Sequence, residues 1–132
     1  STVTVGRVKK SSVASLFCQK VAADQLPLCL TGNVHGLRSF VHIDDIAHAI
    51  KLAIEKPYVQ GTFNLGSRQL HSIIDLVDLL DVSWVDGGID ETGLDGRPRP
   101  NLSKIESELG WEPQVKLSKG LQRTIEYYRE VR

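Results

Sequence analysis

Arg38-Ser39-Phe40-Val41-His42-Ile43-Asp44-Asp45-Ile46-Ala47-His48-Ala49-Ile50, followed by Gly61-Thr62-Phe63-Asn64-Leu65-Gly66-Ser67, decides how this chain folds. Phe40 to Ile43 reads as a short strand. Asp44 or Asp45 is predicted to cap the helix that follows, where a carboxylate also suits the positive end of the helix dipole. Ile46, Ile50, Ala53 and Ile54 form the predicted buried stripe of that helix, and Pro57 follows its end. Thr62 to Leu65 reads as a second strand closed by a glycine turn. Strands alternating with helices in this way predict an α/β layer arrangement.

The rest of the chain continues the alternation. Thr2 to Val5 alternates with period two and stops at Gly6, so it reads as a strand. Ser11 and Ser12 can cap a helix with Val13, Leu16, Phe17 and Val21 on its apolar face. Leu28-Cys29-Leu30-Thr31 is extended and closed by Gly32, with a turn from Asn33 to Leu37. Ser72 with Asp75 reads as a capping box ahead of Ile73, Leu76, Val77 and Leu80. Val82 to Val85 is a further strand candidate, and Asp86 to Pro100 reads as a loop. Ser103 with Glu106 reads as a second capping box, and Gly110 stops that helix. Ser118 opens the last helix, with Leu121, Ile125 and Tyr128 on one face. Thr2 to Val5 and Thr62 to Leu65 are the candidates for parallel neighbours, while Leu28 to Thr31 and Phe40 to Ile43 look short enough to pair at a rim.

Composition narrows the function classes. The chain has 132 residues, 41% of them hydrophobic, which suits one compact domain over residues 1–132. Net charge is zero and no basic stripe appears, which argues against a nucleic-acid surface. No apolar run approaches the roughly 18 residues that span a bilayer, and no signal peptide is recognisable, so no membrane partner and a cytoplasmic location are expected. Cys18 and Cys29 read as buried thiols rather than a disulfide. His42, Asp44, Asp45 and His48 do not make a convincing metal set, because the acids already explain themselves as caps. Asn64 reads as a strand-end hydrogen bonder, and Trp84 and Trp111 as packing residues.

Two stretches carry a family resemblance. Leu28 to Gly32, then Arg38-Ser39-Phe40-Val41-His42-Ile43-Asp44-Asp45, is the first. Gly96-Arg97-Pro98-Arg99-Pro100-Asn101-Leu102-Ser103-Lys104 leading into Glu108-Leu109-Gly110-Trp111-Glu112-Pro113 is the second. Together they resemble the carboxy-terminal, substrate-binding part of the extended short-chain dehydrogenase/reductases, the NAD-dependent epimerase/dehydratase family. The resemblance runs from about Ser12 to the carboxyl end. It implies a partial Rossmann-like arrangement, a short parallel sheet with flanking helices. It also implies a nucleoside diphosphate sugar as ligand, with Cys29 and Thr31 beside the base and Arg38 on the diphosphate. Arg97 or Arg99 inherits a second diphosphate contact, and the spacing leaves open which. A guanidinium fork suits such oxygens chemically. The residues alone leave another reading of Arg38 open, an ion pair with Asp44 or Asp45, and leave Arg97 and Arg99 equally readable as solvated loop charges.

The chain departs from the family pattern in telling places. Asn33 and Val34 stand where an acidic residue and a glycine are usual, and Ser39 replaces an acidic residue after the arginine. Val8-Lys9-Lys10 passes directly toward a helix where the family has a longer loop that helps close the cofactor site. There is no glycine-rich dinucleotide turn and no Tyr-x-x-x-Lys: Tyr58 is followed four places on by Thr62, Tyr127 by Val131 and Tyr128 by Arg132. The family's hydride chemistry needs that tyrosine–lysine pair. NAD or NADP, implied for the full-length family, thus has no recognisable site here. No catalytic, cofactor-binding or metal residue is assigned. Two classes follow. One is the substrate side of a nucleotide-sugar epimerase, dehydratase or reductase, completed by an amino-terminal cofactor domain or a homo-oligomer. The other is a standalone ligand-sensing or partner-binding module of the same fold.

Overall fold

The computed structural model describes the backbone of residues 2–5 and the full residues 12–91 and 100–131. The elements run β1 (Thr2–Val5), α1 (Val13–Ala22), β2 (Leu28–Gly32), β3 (Arg38–His42), α2 (Ile43–Glu55), β4 (Leu70–His71), α3 (Ile73–Leu80), β5 (Trp84–Ile89), α4 (Ser103–Leu109) and α5 (Leu117–Glu130). β1 pairs in parallel with β3, and β3 pairs antiparallel with β4. β2 and β5 form a separate parallel pair. The predicted α/β class, with short parallel sheets flanked by helices, is the one that forms.

β3 is the middle strand of its sheet, not the rim strand its length suggests. The reason is burial on both faces, the mark of an internal strand. Phe40 packs with Ala14 and Cys18 of α1, Leu76 of α3 and Leu121 of α5. Val41, one residue on, points the other way into a second cluster with Ala49 of α2 and Leu102, Ile105, Leu109 and Trp111 around α4. A third cluster lies under the other sheet: Phe17, Leu28, Leu30, Val34, Ile73 and Val77.

Several local expectations hold. Ser12 Oγ caps α1 by accepting from Ser15 N at 3.2 Å. Ser72 and Asp75 form a reciprocal capping box on α3. Gly110 ends α4 at φ 69°, a left-handed position that glycine takes without strain. Leu121 faces the core from α5.

Others are corrected. Of the face predicted for α1, Phe17 and Val21 are buried and Val13 packs on the core, but Leu16 is 40% exposed, and Ala14 and Cys18 are buried in its place. Thr62 to Leu65 forms no strand. Its backbone is met by a side chain, Lys104 Nζ donating to Thr62 O at 2.9 Å, and Phe63 and Leu65 pack onto the α2–α4 cluster. Ser103 and Glu106 make no capping box, since Asn101 Oδ1 already accepts from Ser103 N at 3.0 Å. Helix α5 starts at Leu117, one residue before Ser118.

The largest correction concerns α2. Its cap is His42, whose Nδ1 accepts from Asp44 N at 3.0 Å; Asp44 and Asp45 lie within the first turn. Of the apolar stripe read from the sequence, Ile46 packs against the α2–α4 cluster, while Ile50 is 56% and Ile54 73% exposed. The buried positions are Asp45 and Ala49. Asp45 can be buried because every demand of its carboxylate is met. It accepts from Gln114 N and Val115 N, each at 3.1 Å, while its backbone carbonyl takes the indole N–H of the fully buried Trp111 at 2.8 Å. Those bonds turn the helix so that its second apolar stripe is left uncovered. Among the described residues, no helix is long and apolar enough to cross a membrane.

Candidate functional site

Of the site residues expected from sequence, Cys29, Thr31 and Arg38 are described; Arg97 and Arg99 lie outside the described residues. β2 alternates cleanly. Leu28 and Leu30 are buried, and Cys29 and Thr31 face outward. The expectation of a buried Cys29 therefore fails: it is an exposed free thiol, while Cys18 is buried and free. Burial pushes the Cys18 thiol up to about 12, because the thiolate would lose its hydration.

The neighbouring strand makes room for the outward side chains of β2. A Cβ built on Gly87 of β5 would collide with Cys29 Sγ and press on Thr31 Cγ2 at 3.3 Å. Asp86 folds the chain just past that glycine, its Oδ1 accepting from Gly88 N and Ile89 N at 2.8 Å each. These two donors hold the Asp86 carboxyl below its usual range. Past β5, Asp90 N donates to Gly32 O at 2.9 Å and Glu91 lies 3.3 Å from His35 Nε2. Asp90 and Glu91 are thus tied to the end of β2 and the turn after it.

Arg38 begins β3 directly after the turn that leaves β2. Its Nη2 donates to Asn33 O at 3.3 Å and its Nη1 to Gly36 O at 3.4 Å. The alternative ion pair with Asp44 or Asp45 does not form. Asp44 sits 3.5 Å from Arg123 of α5, and Asp45 is committed to Gln114 and Val115. The structure thus brings Cys29, Thr31 and Arg38 along one short path, strand then turn. The sequence reading placed the turn at Asn33 but missed the role of its side chain: Asn33 Oδ1 accepts from His35 N at 3.3 Å and Gly36 N at 3.0 Å. The Asn-x-x-Gly spacing was the available clue.

Concavities lie elsewhere, among them two lined by titratable side chains. One of about 430 Å³ opens between the β4 region, including His71 and Gln69, and the segment Pro113 to Ser118. Another of about 380 Å³ is lined by His42, Asp44, Arg123 and Tyr127. In the second, burial above all holds the His42 imidazole below its ordinary 6.5, against the pull of Asp44. Among the described residues, no three His, Cys, Asp or Glu side chains converge as metal ligands.

Comparison with known proteins bears on this arrangement. Residues 4–66 match the model of the NAD dependent epimerase/dehydratase family. The chain is 31% identical over 126 residues to UDP-glucuronic acid decarboxylase 1 of Xenopus tropicalis, covering 89% of this chain and 28% of that protein. It is 38% identical over 102 residues to GDP-L-fucose synthase 1 of Arabidopsis thaliana, covering 74% of this chain and 31% of that one. The chain therefore spans about a third of the length of these curated relatives. Its fold superposes on UDP-glucose 4-epimerase of Thermotoga maritima, solved with UDP-glucose, with TM-score 0.80 and 25% identity, over 98% of this chain and 45% of that chain.

Proposed function

Because this chain belongs to the NAD dependent epimerase/dehydratase family, we propose that it is the nucleotide-sugar-binding portion of such a protein and that, as an isolated chain, it is not catalytic. Cys29 and Thr31 lie along the base, Arg38 meets the diphosphate, and Arg97 or Arg99 adds a second cation. The observation that carries this reading is the placement of Arg38. Its guanidinium is held by two carbonyls rather than by a carboxylate, so its charge is not cancelled within the fold. It stands one turn away from an outward-facing strand whose neighbour is a glycine. A planar, permanently charged fork at that point suits paired phosphate oxygens.

The uncovered stripe of α2 supports the same reading. Ile50, Ile54 and the nearby Tyr58, 77% exposed, are the kind of contiguous apolar surface that a monomer rarely leaves bare. A companion cofactor-binding unit is the occupant this proposal assigns to it.

The test is a calorimetric titration of UDP-glucose, UDP-glucuronic acid and GDP-fucose into the wild-type chain and Arg38→Ala. Binding at or below millimolar ligand, lost in the variant, is the expected result. No binding by wild type, or equal binding by both, refutes the assignment.

A further inference from the structure

We propose that Asn33 is the positioning residue for Arg38: through the turn it closes, it fixes the guanidinium in the orientation that receives a diphosphate. The diphosphate part rests on the reading above; the positioning part stands on geometry alone.

The turn is built in three layers. Asn33 Oδ1 accepts from two successive amides, His35 N and Gly36 N, which closes residues 33–36 on themselves. Val34, inside the turn, is fully buried among Phe17, Leu28, Leu30, Ile73 and Val77, and its carbonyl accepts from Ile74 N at 3.2 Å. The turn therefore cannot shift without pulling a side chain from the core. The carbonyls of Asn33 and Gly36 then stand where Arg38 Nη2 and Nη1 can donate to both. Two anchored carbonyls define the plane of the fork.

The chemistry of this support matters as much as its rigidity. A guanidinium has five N–H donors. Two are used here, and three remain among the described residues. The supporting groups are neutral dipoles. A carboxylate in their place would orient Arg38 equally well but would cancel the charge a diphosphate needs. The two acids the sequence offered as partners lie past the other end of β3 and are occupied there, Asp44 with Arg123 and Asp45 with backbone amides, and Glu91, the acid beside the turn, lies 3.3 Å from His35 Nε2. Asn33 itself closes the turn without adding a negative charge beside the fork.

The experiment has two readouts. The first needs no ligand: the side-chain ¹⁵N–¹H signals of Arg38 in the free protein. Wild type and Asn33→Asp are expected to show a restrained guanidinium, and Asn33→Ala one that rotates freely. The second is a double-mutant cycle on UDP-glucose affinity, using Asn33→Ala, Arg38→Ala and the double variant. Asn33→Ala alone is expected to weaken binding about tenfold, the scale of losing one oriented charge-assisted contact. In the Arg38→Ala background the same change is expected to add less than about twofold, because a residue acting through Arg38 has nothing left to act on. Additive losses overturn the inference, as does an unchanged guanidinium spectrum in Asn33→Ala. An Asn33-dependent spectrum in a wild-type chain that binds no nucleotide sugar sustains the positioning role and refutes the proposed function.

Discussion

Replacing Asp45 with alanine is expected to destabilise the chain by roughly 3–4 kcal/mol. The magnitude follows from what the carboxylate does. It is 3% exposed and accepts from Gln114 N and Val115 N at 3.1 Å each. Hydrogen bonds to a charged group contribute about 1.5–3 kcal/mol apiece, and truncation leaves the donors unpaired. Both amides are only partly buried, so water recovers some of the loss and the lower half of the range applies. Asp45→Asn keeps one acceptor oxygen but turns an N–H₂ toward the other donor, so about 2 kcal/mol is expected. Asp44→Ala is the control. Its side chain is 64% exposed and its ion pair with Arg123 spans 3.5 Å, an arrangement that contributes under about 1 kcal/mol. Urea unfolding followed by the fluorescence of buried Trp111 is the assay. With an m-value of roughly 2 kcal/mol/M, Asp45→Ala should lower the midpoint by about 1.5–2 M. If Asp45→Ala costs no more than Asp44→Ala, the account of Asp45 as the clasp between α2 and residues 111–115 is wrong.

Three further outcomes are expected. The His42 imidazole has a folded-state pKa below its unfolded 6.5, so its contribution to stability is fully present above 6.5 and is lost as pH falls below that value toward the folded one; Asn at this position keeps a cap acceptor without titrating, so a pH series of melting temperatures should show the acid-side fall flattened in His42→Asn. Alkylation of the native chain with iodoacetamide should add a single adduct, at exposed Cys29, because Cys18 is buried with its thiol at about 12; two adducts at equal rates before denaturation would contradict the packing of α1 on α5. Ile54→Asp should change stability by no more than about 0.5 kcal/mol, whereas Ala49→Asp, at a 5% exposed site, should cost several; matched denaturation curves for these two variants would mean that the wrong face of α2 has been assigned to the core.

How much of this was legible in the sequence depended on whether the signal was local. The Ser72–Asp75 box, the Ser12 cap and the Gly110 stop are decided within four or five residues, and each formed as read. The extended reading of Leu28 to Thr31 also formed, although the strand turns Cys29 outward where a buried thiol was expected. The failures share a different cause. The stripe Ile46, Ile50, Ala53, Ile54 is a sound amphipathic pattern, yet of its isoleucines only Ile46 packs on the core, because α2 carries two faces able to bury something. The choice was made by Trp111, Gln114 and Val115, more than sixty residues downstream. Periodicity cannot see such partners. Thr62 to Leu65 has strand composition, yet a strand needs a ladder neighbour, and β3 had already given its edges to β1 and β4. The Ser103–Glu106 box lost to Asn101, a competing acceptor two residues before the helix. At the site, Arg38 was visible by its chemistry, but what holds it was not. A guanidinium bonded to carbonyls leaves no residue-type signature at the partner positions.

The five residues of β3 show why the candidate site can be rigid although Arg38 is only partly buried. Ser39 Oγ accepts from Ser67 N at 2.7 Å and so pins the loop beyond α2 to the strand. Phe40 and Val41 plug opposite cores. His42 ends the strand by capping the next helix. Each residue after Arg38 is thus fixed by a different part of the molecule, which leaves the first residue of the strand little freedom at its Cα. On the other side, Val34 pins the turn to α3. The arginine is therefore held between two anchored segments, with its backbone determined by β3 and its fork by the carbonyls of the turn. A residue on a mobile loop would have to give up rotamer entropy on meeting an anion, at about 1.5–2 kcal/mol for a side chain of this length. Here much of that ordering is already done by residues that never touch the ligand, which is why the turn, and not only the arginine, belongs to the site.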